Sequence, residues 1–330
     1  VRRSILLGLL VGAVLIAAWL WFIDPAQVAA YLKMLHPLWL AVAAVLYLLA
    51  YFLRSLRWRV LLRPTLRLPV RQVYLVWMSG HFFNYLIPIR AGELVKCWLL
   101  KRLHGARISQ TLPSVFVDKL FDSLAILIVL ALLPFLSVHM SQPMLWLIIL
   151  LVLVLAAAIG VLVAAAVSQR AVVSLLRKVL FFVPRRFEQR IEEAIGIFVQ
   201  GVGMFRRHMN LLPPVMLLTL AAVLADSLFF YSLFLAFRQS VPYLLILFGY
   251  TLIYLSYILP TPPAQIGSNE VIMVVIFSIG LGLNRDMVSA VMSFSHLLTG
   301  ALIVTVGLLA SSTLGVRLLD LFSWRSQPEE

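Results

Sequence analysis

The sequence predicts an all-α polytopic membrane protein, with about six full transmembrane helices and two re-entrant, broken-helix hairpins. Three observations carry that fold class. Of 330 residues, 63% are hydrophobic and only 12% charged, with a mean hydropathy of +1.03, whereas soluble domains carry about 25% charge. Apolar runs close to the roughly 20 residues that cross a bilayer recur between short basic stretches. Two further apolar segments are interrupted by Pro and Gly, which remove a backbone donor and loosen the backbone in the middle of a span.

The net charge of +14 reads as basic loops that set topology and meet anionic headgroups. No basic-aromatic module is present, so nucleic acid is not expected as a partner. The single cysteine, Cys97, cannot form an internal disulfide and reads as a small apolar filler.

Residues 5–23 form the first span, since their apolar run exceeds the roughly 7–15 residues of a signal-peptide core; Arg2 and Arg3 precede it on the cytoplasmic side. Residues 37–52 return. Arg54, Arg57, Arg59, Arg63, Arg67 and Arg71 follow and read as one cytoplasmic loop. Residues 73–87 and 94–100 flank a break between Pro88 and Gly92, and Lys101, Arg102 and Arg107 come next. Both flanks of 73–100 therefore favour the cytoplasm, and the stretch is too short for two full spans. A hairpin that enters and leaves on the cytoplasmic side satisfies both constraints. The alternative, eight full spans, places Lys101, Arg102 and Arg107 outside.

A third span over 111–133 carries Asp118, Lys119 and Asp122, and the outer loop 134–143 has no Lys or Arg. A fourth span covers 144–167. Residues 168–210 form the one long polar segment, basic with interspersed apolar residues, as in an amphipathic helix lying on the inner leaflet. The fifth span, 211–237, carries Asp226. Residues 241–259 and 271–283 then flank the break at Pro260-Thr261-Pro262-Pro263, and their sparsely charged ends fit a second hairpin, 241–283, entering from outside. The sixth span, 287–312, leads to a basic tail. Both termini are then cytoplasmic, and Lys33, Arg238 and Arg285 are the basic residues left outside.

The two breaks resemble each other. Asn84-Tyr85-Leu86-Ile87-Pro88 is followed by Gly92 and Glu93; Ser256-Tyr257-Ile258-Leu259-Pro260 is followed by Gly267 and Glu270. Residues 1–139 and 140–330 then run the same element order in opposite directions. Inverted repeats with broken helices are a recurring transporter design, with the site near the midplane where the halves meet.

Intramembrane ionisable residues are functional candidates. Arg90, Glu93 and Lys96 share one helical face if a helix starts at Gly92. Arg90 and Lys96 suit a phosphate, aided by the N-terminal dipole. Glu93 either pins Arg90 or takes a proton or cation. Asn84, Gln265 and Asn269 complete the expected headgroup-binding set. Glu93, Glu270 and Asp226 are expected as coupling or gating carboxylates, with Glu270 alternatively a helix cap and Asp226 either protonated or paired with an Arg from elsewhere. Asp118, Lys119 and Asp122 form a supporting charge network, functional or purely structural. His81 and Tyr85 read as packing residues, and His36, His104, His139, His208 and His296 lack metal-ligand spacing. No HExxH, CxxC cluster, Walker loop, GxGxxG or GxSxG occurs. The sequence therefore indicates no catalytic residue, no metal and no cofactor, and the chain is expected not to be an enzyme.

The segment NYLIPIRAGELVK (84–96), the helix DKLFDSL (118–124) and PTPPAQIGSNE (260–270) resemble, in order and separation, the signatures of the membrane domain of lysylphosphatidylglycerol synthases, the MprF-type flippase-like family. The resemblance spans about 5–315. One departure lies at Ala264-Gln265, where the family often has a Gly-Gly pair after Pro. The resemblance implies the membrane domain without the aminoacyl-transfer domain. It also implies movement of an anionic phospholipid or a polyprenyl phosphate-linked lipid between leaflets of the bacterial inner membrane. Two other readings stay open: a lipid-binding scaffold that recruits a cytoplasmic lipid-synthesis enzyme through 168–210, and an intramembrane enzyme acting on a lipid-linked phosphate. A second copy of the chain stays open as a partner too.

Overall fold

The computed structural model describes residues 25–86, 92–131, 208–256 and 262–316, together with Trp21 and scattered positions between 142 and 196. Apart from such scattered positions, the spans expected at 5–23 and 144–167, the amphipathic segment before His208, the tips at 87–91 and 257–261, and the tail beyond Val316 lie outside the described residues.

The described residues are helical, with no strand among them. A short helix α1 (Pro25–Leu32) leads into α2 (Pro37–Leu62), which starts with Pro37 in its first turn, where the missing N–H is unneeded. Next come α3 (Val70–Leu86), α4 (Gly92–His104) and α5 (Ile108–Ala131). After the gap follow α6 (Leu212–Ala236), α7 (Tyr243–Ser256), α8 (Ser268–Val274), a π-helical turn Val275–Gly280 and α9 (Arg285–Thr313). Among these, α2, α6 and α9 are long and apolar enough to cross a membrane.

The helix α2 runs ten residues past the expected end at Phe52, so Arg54, Arg57 and Arg59 are helical rather than part of a loop. The reason is that the apolar pattern continues between them, through Leu53, Leu56, Val60, Leu61 and Leu62. Arg54 and Arg57 are buried, and their partners sit on other helices. Only Arg63, Arg67 and Arg71 of that basic cluster lie beyond the end of α2.

Two contacts orient the bundle. The backbone N–H of His36 donates to the carbonyl of Ala236 at 2.8 Å, so the start of α2 meets the end of α6 and the two run antiparallel. Arg102 donates to the carbonyl of Gly315 at 3.2 Å, so the end of α4 meets the end of α9.

The helices α3 and α4 pack as an antiparallel pair with touching backbones. A Cβ placed on Gly92 would lie 1.8 Å from the carbonyl oxygen of Gly80. At 17 and 13 residues they rise about 26 and 20 Å, short of a hydrocarbon core of about 30 Å. Phe82 packs where a Cβ on Gly307 would be, and Tyr85 where one on Gly300 would be. The helix α3 therefore runs antiparallel to α9 and α4 parallel to it, with the outer ends of the pair where α9 stops. In the second half, Phe277 fills the space beside Gly249, pairing α7 with the π-helical turn. Phe277 packs on Phe234 near the end of α6, and six residues link Ala236 to Tyr243 at the start of α7, so the outer ends of this pair lie where α6 stops.

Candidate functional site

A chain of charged side chains crosses the interior of this apolar bundle. It begins at the tip of the α3–α4 pair. The side-chain oxygen of Asn84 accepts from the N–H of Gly92 at 2.7 Å and so caps α4, while its amide donates to Glu93 at 3.1 Å. Asn84 is thereby engaged in holding the break closed. The other oxygen of Glu93 pairs with Lys96. The Lys96 ammonium also sits between two indoles, 5.1 Å from Trp58 and 5.2 Å from Trp77, a favourable cation–π setting.

Lys119, on α5, continues the chain. Its ammonium lies 3.1 Å from Glu93 and 3.8 Å from Asp122. Lys96 and Lys119 differ sharply in access: side-chain exposure is 2% for the first and 48% for the second. Arg57 then holds both carboxylates of α5, donating through Nε to Asp118 and through Nη2 to Asp122, each at 2.7 Å. A third bond, at 3.3 Å, reaches Thr219 on α6.

Arg54, one turn earlier on α2, pairs with Asp226 on α6 and lies 3.8 Å from Asp122. Tyr250 on α7 donates to the same Asp226 oxygen at 2.8 Å. A narrow crevice bordered by Arg54, Asp122, Thr219, Tyr250 and Tyr254 runs beside these groups. Four cations (Arg54, Arg57, Lys96, Lys119) thus balance four carboxylates (Glu93, Asp118, Asp122, Asp226). Charge balance is what allows so many ions to be buried, since an unpaired buried charge is far more costly.

A second, smaller constellation forms at the α7–α8 break. Glu270 lies in the first turn of α8, yet its carboxylate meets Nδ1 of His296 on α9 at 2.5 Å, and Nε2 of His296 meets the carbonyl of Ala264 at 2.7 Å. Tyr85 stands edge-on to the His296 ring at 6.4 Å. Adjacent residues of α3 therefore serve both breaks, Asn84 the first and Tyr85 the second.

Several sequence expectations find a place here. Asn84, Glu93, Lys96, Lys119, Asp118 and Asp122 come together, and Asp226 joins them through an Arg from another helix. Gln265 and Asn269 sit with Glu270 at the second break, where Asn269 is buried. Arg90 lies outside the described residues. Sequence reasoning missed Arg54 and Arg57 as site residues because their spacing and density read as a topology signal. The signal that could have found them is the helical apolar periodicity running through them. His296 was missed because its partners are 26 and 32 residues away.

The family model described as lysylphosphatidylglycerol synthase TM region matches residues 5–307. A protein named UPF0104 membrane protein, from Methanothermobacter thermautotrophicus, is 22% identical over 331 aligned residues, covering 94% of this chain and 97% of its own length. A protein named glycosyltransferase AglD, from Haloferax volcanii, is 31% identical over 130 residues. That match covers 38% of this chain, and the chain spans only a fifth of that relative's length.

Proposed function

The chain belongs to the lysylphosphatidylglycerol synthase transmembrane-region family, and from that premise we propose that it is a lipid translocator of the bacterial inner membrane, without catalytic chemistry of its own. Its cargo carries a phosphate, as an anionic phospholipid or a polyprenyl phosphate-linked lipid does. The two helix pairs act as re-entrant hairpins of an inverted repeat, and a headgroup passes between their tips while the acyl chains stay in the bilayer. The name of the glycosyltransferase AglD relative is in keeping with a lipid-linked saccharide as one such cargo.

The observation that carries this reading is Lys119, whose side chain is 48% exposed although its ammonium links Glu93 to Asp122 inside an otherwise largely buried, neutral ion network. A purely stabilising network has no need of a link whose side chain reaches the surface. A phosphate that approaches Lys119 competes with Glu93 and Asp122 for the same donors, so cargo and carboxylate exchange partners without leaving a charge bare. The outer ends of the two helix pairs lie at opposite ends of the bundle, as inverted entry requires.

The test uses purified protein in vesicles of phosphatidylethanolamine and phosphatidylglycerol with a fluorescent phosphatidylglycerol, its leaflet read by dithionite quenching. Transfer faster than in empty vesicles is expected, with loss in Lys119→Gln and in Glu93→Gln. Transfer equal to empty vesicles with this probe and with a polyprenyl phosphate-linked one overturns the reading.

A further inference from the structure

Glu270 and His296 are placed to share a proton. Nε2 of His296 faces a carbonyl, which only accepts, so this nitrogen carries a hydrogen. Nδ1 lies 2.5 Å from a carboxyl oxygen, a separation at which two bare lone pairs repel. A hydrogen bond at this contact needs a proton between them. The pair is then imidazolium with carboxylate or imidazole with carboxylic acid, two forms with the same proton count. The second carboxyl oxygen of Glu270 is buried with no hydrogen-bond partner among the described residues, so the shared proton is what satisfies this carboxyl group.

The surroundings are consistent with a single coupled site. From α8 comes Glu270, and from α3 comes the phenol of Tyr85. The other elements packed on α9, among them α1, α2, α6 and the π-helical turn, make no hydrogen bond or ion pair with His296 among the described residues. Its own helix carries Arg285 and Asp286 only at the far end.

We propose that Glu270 and His296 form a proton-binding site: one exchangeable proton between Nδ1 and Oε1 clamps the start of α8 and the Ala264–Gln265 turn to α9, and its release parts α8 from α9. On release the proton passes to water. The imidazole keeps its Nε2 hydrogen on Ala264, while the Nδ1 lone pair is left against the carboxylate and pushes it away. The turn before α8 is suited to move, because Ala264 and Gln265 sit at φ +52° and +57°, left-handed positions that persist only under outside restraint. That lipid transfer responds to protons rests on the transport reading; the site and its motion do not.

The experiment uses the full chain in nanodiscs of phosphatidylethanolamine and phosphatidylglycerol. Histidine 15N resonances, with His296 assigned by loss of its signal in His296→Gln, are followed from about pH 5 to 9. Spin labels at Ile279→Cys and Leu297→Cys, both well exposed, report the distance across the contact; the native Cys97 is buried. The expected result is a one-proton transition of His296 to the neutral Nε2–H form, with the label distance shifting longer over the same range. In Glu270→Gln the amide donates to Nδ1, so neither change is expected. A His296 ring in one unchanging state across the range overturns the proposal. So does a titration unaltered by Glu270→Gln, or a titration with no change in distance. Failure of lipid transfer in the vesicle assay with these signals intact removes the transport reading and leaves the proton site standing.

Discussion

Arg54 and Asp226, 172 residues apart in the chain, form a buried ion pair that also takes the hydroxyl of Tyr250 on the same carboxylate oxygen. The pair ties α2 to α6, and Tyr250 brings in α7. Asp226→Ala leaves the Arg54 guanidinium buried without its main partner, which costs about 3–5 kcal/mol. Thermal unfolding in detergent should show a large fall in Tm. The double variant Arg54→Met/Asp226→Leu removes both charges and is expected to regain most of the lost stability. A double variant as unstable as Asp226→Ala would mean that packing at this position, not charge, sets the stability.

The two lysines of the network should behave oppositely. Lys96 is enclosed by Glu93, Trp58 and Trp77, so Lys96→Met removes one donor of a buried carboxylate and two cation–π contacts. A loss of about 2–3 kcal/mol is expected. Lys119 is half exposed, so Lys119→Gln should change stability by no more than about 1 kcal/mol. Its transfer rate, in contrast, should fall at least about tenfold, a barrier change of about 1.4 kcal/mol. Measuring Tm and vesicle transfer on both variants separates a structural lysine from a cargo-facing one.

How much of this was legible in the sequence differs from element to element. The break after Asn84 was visible because Pro88 and Gly92 are local signals, and α5 and α6 were placed within a few residues because their apolar runs are continuous. The charged residues Glu93, Lys96, Asp118, Lys119, Asp122 and Asp226 stood out against an apolar background. Their wiring did not, because each bond crosses between helices: Arg57 finds Asp118 61 residues on, and His296 finds Glu270 only once α8 lies against α9. Arg54 and Arg57 were misread because a positive-inside count treats every Arg near a span as loop charge. A buried pair violates that assumption when the opposing carboxylates come from another part of the chain.

The close approach of Gly80 and Gly92 sets the geometry of the first hairpin. A Cβ on Gly80 would fall 2.4 Å from the Lys96 side chain and 2.8 Å from the Gly92 carbonyl. Lys96 can shift, but the backbone carbonyl cannot without moving α4. At Gly92 both nearest neighbours resist, since one is a carbonyl and the other is the capping Asn84. Gly92→Ala is therefore expected to cost about 1–3 kcal/mol as an overpacking change, and more than Gly80→Ala. The ranking can be read from paired Tm values. Gly105→Ala serves as the contrast: nothing lies within 4 Å of a Cβ there, but its φ is +68°, so its cost is strain alone, about 1–2 kcal/mol.

The second break stores backbone strain where the family often has two glycines. Ala264 and Gln265 occupy φ of +52° and +57°, positions that disfavour a side chain by roughly 1–2 kcal/mol per residue. A Gly at either site relieves that cost but adds freedom to the unfolded chain, which offsets up to about 1 kcal/mol. The net expectation for Ala264→Gly is a small gain in stability, about 0–1 kcal/mol. Gln265→Gly should behave alike unless its side chain contributes to cargo binding. That exception is measurable, because Gln265→Gly would then slow vesicle transfer while Tm holds or rises. Equal transfer rates in wild type and Gln265→Gly would assign Gln265 a purely conformational part, and a fall in Tm for Ala264→Gly would show that the Ala264 methyl packs usefully against the tip.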